Sequence, residues 1–224
     1  NGVAIPAAKT SDDSLSDITT DTSSRAASGI ALAAAVNTVR DKTGVTALVQ
    51  PVLINGTEMT TKFEGGTTLV VNGKSMNFTM VAGETVTNRK SRLIDAFNQQ
   101  LSEATGVDAI DNGTNGISLK ARDGRNISVW YEKDAGSYTG DLTGSEFGLA
   151  VRLNPNSNPT DIPGISHGDI GQSRAGSTFY AGVVLQSTHD IAIQAGPQAV
   201  VDGVAKTLSE KLVSNTNGLM PDGD

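Results

Sequence analysis

One segment of this chain occurs twice, and that repetition constrains the fold more than any other feature. The first copy reads Ala31-Leu32-Ala33-Ala34-Ala35-Val36-Asn37 and then reaches Thr43-Gly44-Val45-Thr46-Ala47. The second reads Arg92-Leu93-Ile94-Asp95-Ala96-Phe97-Asn98 and reaches Thr105-Gly106-Val107-Asp108-Ala109. Leu32 and Asn37 match Leu93 and Asn98 at an offset of 61, whereas Thr43 and Thr105 stand 62 apart. The second copy therefore holds one inserted residue.

Each copy predicts a helix followed by a strand. Leu32, Ala35, Val36 and Val39 fall on one helical face, and so do Leu93, Ala96, Phe97 and Leu101 with Ile94 beside them. A single apolar stripe of this kind is buried against a sheet, so Leu32, Val36 and Val39, and Leu93, Phe97 and Leu101, are the expected core positions. Gly44 and Gly106 stand where a left-handed helix stop is wanted, and Ser, Thr and Asn residues precede each helix as caps.

Turn signals separate the strand-like stretches. Asn-Gly or Asp-Gly stands at Asn1-Gly2, Asn55-Gly56, Asn72-Gly73, Asn112-Gly113 and Asp123-Gly124, mostly beside runs such as Thr67 to Val71 and Ile117 to Lys120. Such dipeptides predict hairpins, because a type I′ turn needs positive φ at both central residues. Gly2 and Gly73 are 71 apart, about ten more than the repeat offset, which marks Ser11 to Thr22 as an insertion in the first copy. Because the chain opens on a turn dipeptide with no strand before it, it reads as a piece of a longer protein.

Residues 134–176 are rich in loop signals, including Asn154-Pro155, Asn158-Pro159 and Ile162-Pro163-Gly164. Strand character returns at Tyr180, Gly182 and Val184 and again at Leu185, Ser187, Ile191 and Ile193, predicting two short strands before Gly196. A short helix is expected over roughly Val201 to Val213. The expected class is α+β, strand-rich, with two similar hairpin-helix-strand units and a returning β segment. Residues 1–65 with 176–224 form the expected inner unit, and residues 66–175 the distal unit.

Composition excludes several chemistries. With no cysteine among 224 residues, disulfides, thiol catalysis, iron–sulfur clusters and the usual zinc sites are ruled out. A formal charge of −7, with scattered basic residues, disfavours nucleic acid and anionic membranes as partners. Hydrophobic residues reach only 37%, so the core is expected to be thin and rich in small side chains. No apolar run approaches the ~20 residues of a membrane helix.

Individual candidates read more simply as structure than as chemistry. His167 and His189 lie in no metal-binding or catalytic run. Asp12, Asp13, Asp17 and Asp21 could offer oxygen ligands to calcium, but EF-hand spacing is missing and a solvated loop is the simpler reading. Asp123 and Arg125 could form an acid and a clamp, yet a charged turn explains them. Trp130 and Tyr131, adjacent on a strand, point to opposite faces, with one expected in the core. No catalytic, cofactor-binding or metal residue is assigned, no cofactor is expected, and the chain is not expected to be an enzyme.

The repeat, a helix ending in Asn followed by Thr-Gly-Val-x-Ala, resembles that of bacterial flagellins. The run Ile117 to Val129, containing Asp123-Gly124-Arg125-Asn126, resembles the flagellin hairpin after the second repeat. Phe179 to Leu185 and Ile191 to Ile193 resemble the strands with which the outer region of a flagellin returns. The likeness covers most of residues 1–134 and again about 176–196. It implies a structural subunit of the flagellar filament, exported from the cell and used in motility. The partners it implies are other flagellin subunits, bound through terminal helices absent here, so this fragment is expected to be monomeric. It also implies outer loops open to O-linked glycans, and termini that lie together at one end. A filament-cap or hook–filament junction protein shares the repeat more weakly, and an extracellular glycan-binding protein is the alternative from another class.

Overall fold

The asparagine that ends each repeated helix reaches forward onto the alanine of the following strand. In the first copy, Asn37 Nδ2 donates to the Ala47 carbonyl at 3.0 Å and the Ala47 amide donates to Asn37 Oδ1 at 2.8 Å. In the second, Asn98 Nδ2 donates to the Ala109 carbonyl and the Ala109 amide to Asn98 Oδ1, each at 2.9 Å. The threonine of each copy repeats as well. Thr43 donates to the Val39 carbonyl and accepts from the Val45 amide, just as Thr105 does with Leu101 and Val107. Gly44 and Gly106 close the helices at φ 69° and 68°, the left-handed stops expected of them.

This geometry comes from a computed structural model that describes residues 2–20, 22–113, 116–134, 136–151 and 177–193, with the backbone of 199–201 and 204–206. The first copy contains helices α1 (Gly29–Asn37) and α2 (Arg40–Thr43) and strand β1 (Thr46–Val49). Strands β2 (Val52–Ile54), β3 (Gly65–Val71) and β4 (Lys74–Met80) lead into the second copy. That copy is α3 (Val86–Phe97), a wider π-helical turn at Asn98–Ser102, α4 (Glu103–Thr105) and β5 (Asp108–Asp111). Strands β6 (Ile117–Ala121), β7 (Ile127–Lys133), β8 (Ser177–Phe179), β9 (Val183–Gln186), β10 (Ala199–Val201) and β11 (Val204–Lys206) follow. Ser28 caps α1 by accepting from the Ala31 amide, and Thr85 caps α3 by accepting from the Asn88 amide.

Mixed helices and antiparallel sheets make this an α+β protein. A four-stranded sheet runs β4-β3-β7-β8, a three-stranded sheet β2-β6-β5, and β1 pairs with β9. The return segment joins the first repeat unit through β9. Two further pairings link the chain regions: β2 pairs with β6, and β8 with β7.

Several local expectations are corrected. Asn72 and Gly73 both adopt positive φ and close the two-residue β3–β4 hairpin, but Asp123-Gly124 does not make a hairpin. It carries the chain from β6 in one sheet to β7 in another, and only its glycine has positive φ. Asn55-Gly56 makes an isolated bridge to Leu149. Ile191 to Ile193 form no strand, and Ile193 is exposed. The helix expected from Val201 is instead strand at Val201 and at β11, while residues 207–213 lie outside the described residues. His167 and Asp21 also lie outside them.

The two repeat helices bury their faces differently. Leu93, Phe97 and Leu101 are completely buried, as their spacing predicts. On α1 the buried residues are Gly29, Ala31, Ala33 and Ala35, whereas Leu32, Val36 and, just past the helix, Val39 are only half-buried. At its first residue α1 comes close to the return segment: a Cβ placed on Gly29 would stand 2.6 Å from the Ala181 Cβ. Burial of small residues, as composition leads one to expect, is seen on α1 at Gly29, Ala31, Ala33 and Ala35. Around α3 the core holds large side chains, among them Phe63, Met76, Met80 and Phe147. Tyr131 joins this core, while Trp130, on the opposite face, is buried outside it.

Candidate functional site

The turn from Arg122 to Asn126 gathers more long-range polar contacts than its sequence suggests. Asp123 sits at its start, and Arg125 folds back so that Nη2 is 2.6 Å from Asp123 Oδ2 and Nε 2.9 Å from it. The same guanidinium donates through Nη1 to the Thr105 carbonyl at 2.9 Å, capping the end of α4. Glycine suits position 106 because its φ of 68° strains any residue with a side chain, and a Cβ there would also displace the Arg125 guanidinium. Burial pushes the Asp123 carboxyl up, but the Arg125 side chain and amide outweigh it and hold the pKa below its ordinary value.

Asn126, fully buried, ties this turn to the segment inserted in the first copy. Its amide donates to Ser16 Oγ at 2.9 Å, and its Nδ2 donates to the Ser24 carbonyl at 3.2 Å. Its carbonyl accepts from Asn72 Nδ2, whose Oδ1 accepts from the Ser128 amide. One short turn thus joins the second helix end, the β3–β4 hairpin and residues 16–24.

The acidic stretch is spent on its own backbone. Asp12 accepts from the Lys9 amide, and Asp13 Oδ1 accepts from the amides of Leu15 and Ser16. Asp17 takes the Thr19 amide and hydroxyl on Oδ1 and those of Thr20 on Oδ2. Burial raises both Asp13 and Asp17, but hydrogen bonds to the charged form win and leave each pKa lowered. Among the described residues no three His, Asp or Glu side chains are grouped so as to hold a metal ion. His189 is exposed and meets the neighbouring Thr188 hydroxyl at 3.0 Å. No helix of the described residues is long and apolar enough to cross a membrane.

Sequence reasoning missed one buried cluster. Arg89, with no exposed surface, donates through Nη1 to Glu146 Oε2 at 2.7 Å and through Nη2 to the Phe63 carbonyl at 3.1 Å. The other Glu146 oxygen accepts from the Thr60 hydroxyl and the Lys62 amide. Glu84 approaches Arg89 at 3.4 Å and binds Arg92 at 2.7 Å. Burial raises Glu84, but the two arginines hold its pKa below the ordinary value. A signal was available, since Arg89 stands four residues before Leu93 on the buried stripe of α3. Its partner Glu146 lies in a loop-rich stretch with no periodicity to place it.

These contacts position backbone, cap helices and pair charges. No family model and no curated protein matches this chain.

Proposed function

We propose that this chain is the surface-exposed part of a flagellin, a structural subunit of the bacterial flagellar filament that acts outside the cell in motility. The observation that carries the reading is the duplicated clamp, in which Asn37 with Ala47 and Asn98 with Ala109 make the same pair of hydrogen bonds. It gives the residues that carry the resemblance a common physical role. The pairing of β9 with β1 supports the out-and-back course of such a region. On this reading the chain carries no catalytic step and no cofactor. Its partners are other flagellin subunits, and its outer loops are open to O-linked glycans.

Antibodies raised against the 224-residue chain test it by electron microscopy of cells that make the whole protein. Decoration along the full filament is the expected result. Decoration restricted to the filament tip or to the hook–filament junction would move the protein to a minor axial role. Undecorated filaments would overturn the reading.

A further inference from the structure

Among the described residues the four-stranded sheet ends at β4, a seven-residue strand with a single charge, Lys74. Val71 and Lys74 close the two-residue turn as a hydrogen-bonded pair, and alternation along the ladder then turns the N–H and C=O groups of Ser75, Asn77 and Thr79 away from β3. Two contacts agree with that phase: the Phe78 carbonyl faces β3, where it accepts from Thr67 Oγ1, and the Thr79 carbonyl faces outward to Arg92. An outward row of this kind is a template for another strand.

Arg92 occupies one end of that row. Its Nη2 donates to the Thr79 carbonyl at 2.8 Å, and its guanidinium carbon lies 4.8 Å from the centre of the Phe78 ring. Glu84 holds it from the other side through Nε at 2.7 Å and Nη2 at 3.1 Å. Glu84 also contacts the buried Arg89, so the brace is anchored in the core.

Two other edge strands are treated in the same way. β1 and β5 are edges, and Asn37 and Asn98 take the amide and carbonyl that Ala47 and Ala109 turn away from their neighbours.

We propose that Arg92, braced by Glu84, guards the open edge of β4 against strand addition by a second copy of this chain. The edge suits its own copy. Antiparallel pairing about a two-fold axis at Asn77 sets Lys74 opposite Met80 and Ser75 opposite Thr79, so no like charges meet. Removing the guanidinium frees the last outward carbonyl and completes a three-residue template.

Sedimentation velocity on the 224-residue chain tests this, with circular dichroism to identify folded variants. The unaltered chain should sediment as a monomer, and Arg92→Ala should show a doubling of mass at the same concentration. Arg92→Gln, which keeps the alkyl stem, serves where the alanine variant does not fold. Adding Asn77→Lys to either variant sets two ammonium groups face to face at the axis and should restore the monomer. Lys90→Ala, which removes a charge from the same helix away from this edge, should stay monomeric. A folded Arg92 variant that remains monomeric overturns the proposal, as does a dimer that persists with Asn77→Lys or one formed by the unaltered chain.

Discussion

Asn98 shows how much one polar side chain can decide. Ala109 is only 2% exposed, so the amide and carbonyl that Asn98 satisfies have little access to water. Asn98→Ala leaves both without a partner, and the expected loss is about 1 to 3 kcal/mol. Asn37→Ala should cost a similar amount, because Ala47 is 3% exposed and bonded in the same way. Urea denaturation measures both, and a loss under about 0.5 kcal/mol, the range of ordinary surface changes, would show that the clamp is incidental. Phe97, completely buried, should cost about 3 to 5 kcal/mol on truncation to alanine. A surface-sized change in the same experiment would contradict its place in the core. Arg89→Ala should also be severe, about 3 to 5 kcal/mol, since it strands the Glu146 carboxylate in the interior.

At the scale of an element, the extra residue of the second copy has a definite location. Thr43 bonds the Val39 carbonyl and Thr105 the Leu101 carbonyl, each four residues back, so the insertion lies between Asn98 and Leu101. The helix accommodates it as the wider turn at Asn98–Ser102, the usual way in which one added residue enters a helix without breaking it. Deleting the exposed Gln100 should restore the spacing of the first copy while keeping both threonine and asparagine bonds. The expected change is no more than about 1 kcal/mol, or roughly 2 to 4 °C in Tm. A collapse of the cooperative transition would mean that the wider turn is itself required. The inequality between α1 and α3 also belongs at this scale. Both patterns show an apolar stripe, but α3 packs large side chains into the core, whereas α1 buries only small residues, with Gly29 close against Ala181. Periodicity reports which face turns inward. It does not report how closely the backbone approaches what lies there.

Over the whole molecule, lowered carboxylate pKa values make the fold acid-sensitive. Asp13, Asp17, Glu84, Asp108, Asp111 and Asp123 all sit below their ordinary values. The folded chain therefore binds these protons less readily than the unfolded chain. Their stabilisation is complete above the ordinary carboxylate range of about 4 and is lost as pH falls through the lowered folded values. Urea midpoints should hold steady from pH 7 to about 5 and drop below about 4. A midpoint that rises on acidification would reverse the sign of the argument.

Sequence alone determined what is local or periodic: the two helix-strand copies, the serine and threonine caps, the glycine stops, the Asn72-Gly73 hairpin and the buried stripe of α3. Each rests on residues a few positions apart, where backbone sterics and side-chain spacing act without help. Only tertiary structure decided that Asp123-Gly124 joins two sheets, that β2 pairs with β6, and that Glu146 meets Arg89 across 57 positions. The repeated asparagine belongs to both levels. Its position is visible in the sequence, but its role requires the strand ten or eleven residues later to turn an amide and a carbonyl toward it. Which backbone groups face outward is settled by how strands pair, and pairing is chosen by burial over the whole chain rather than by any segment within it.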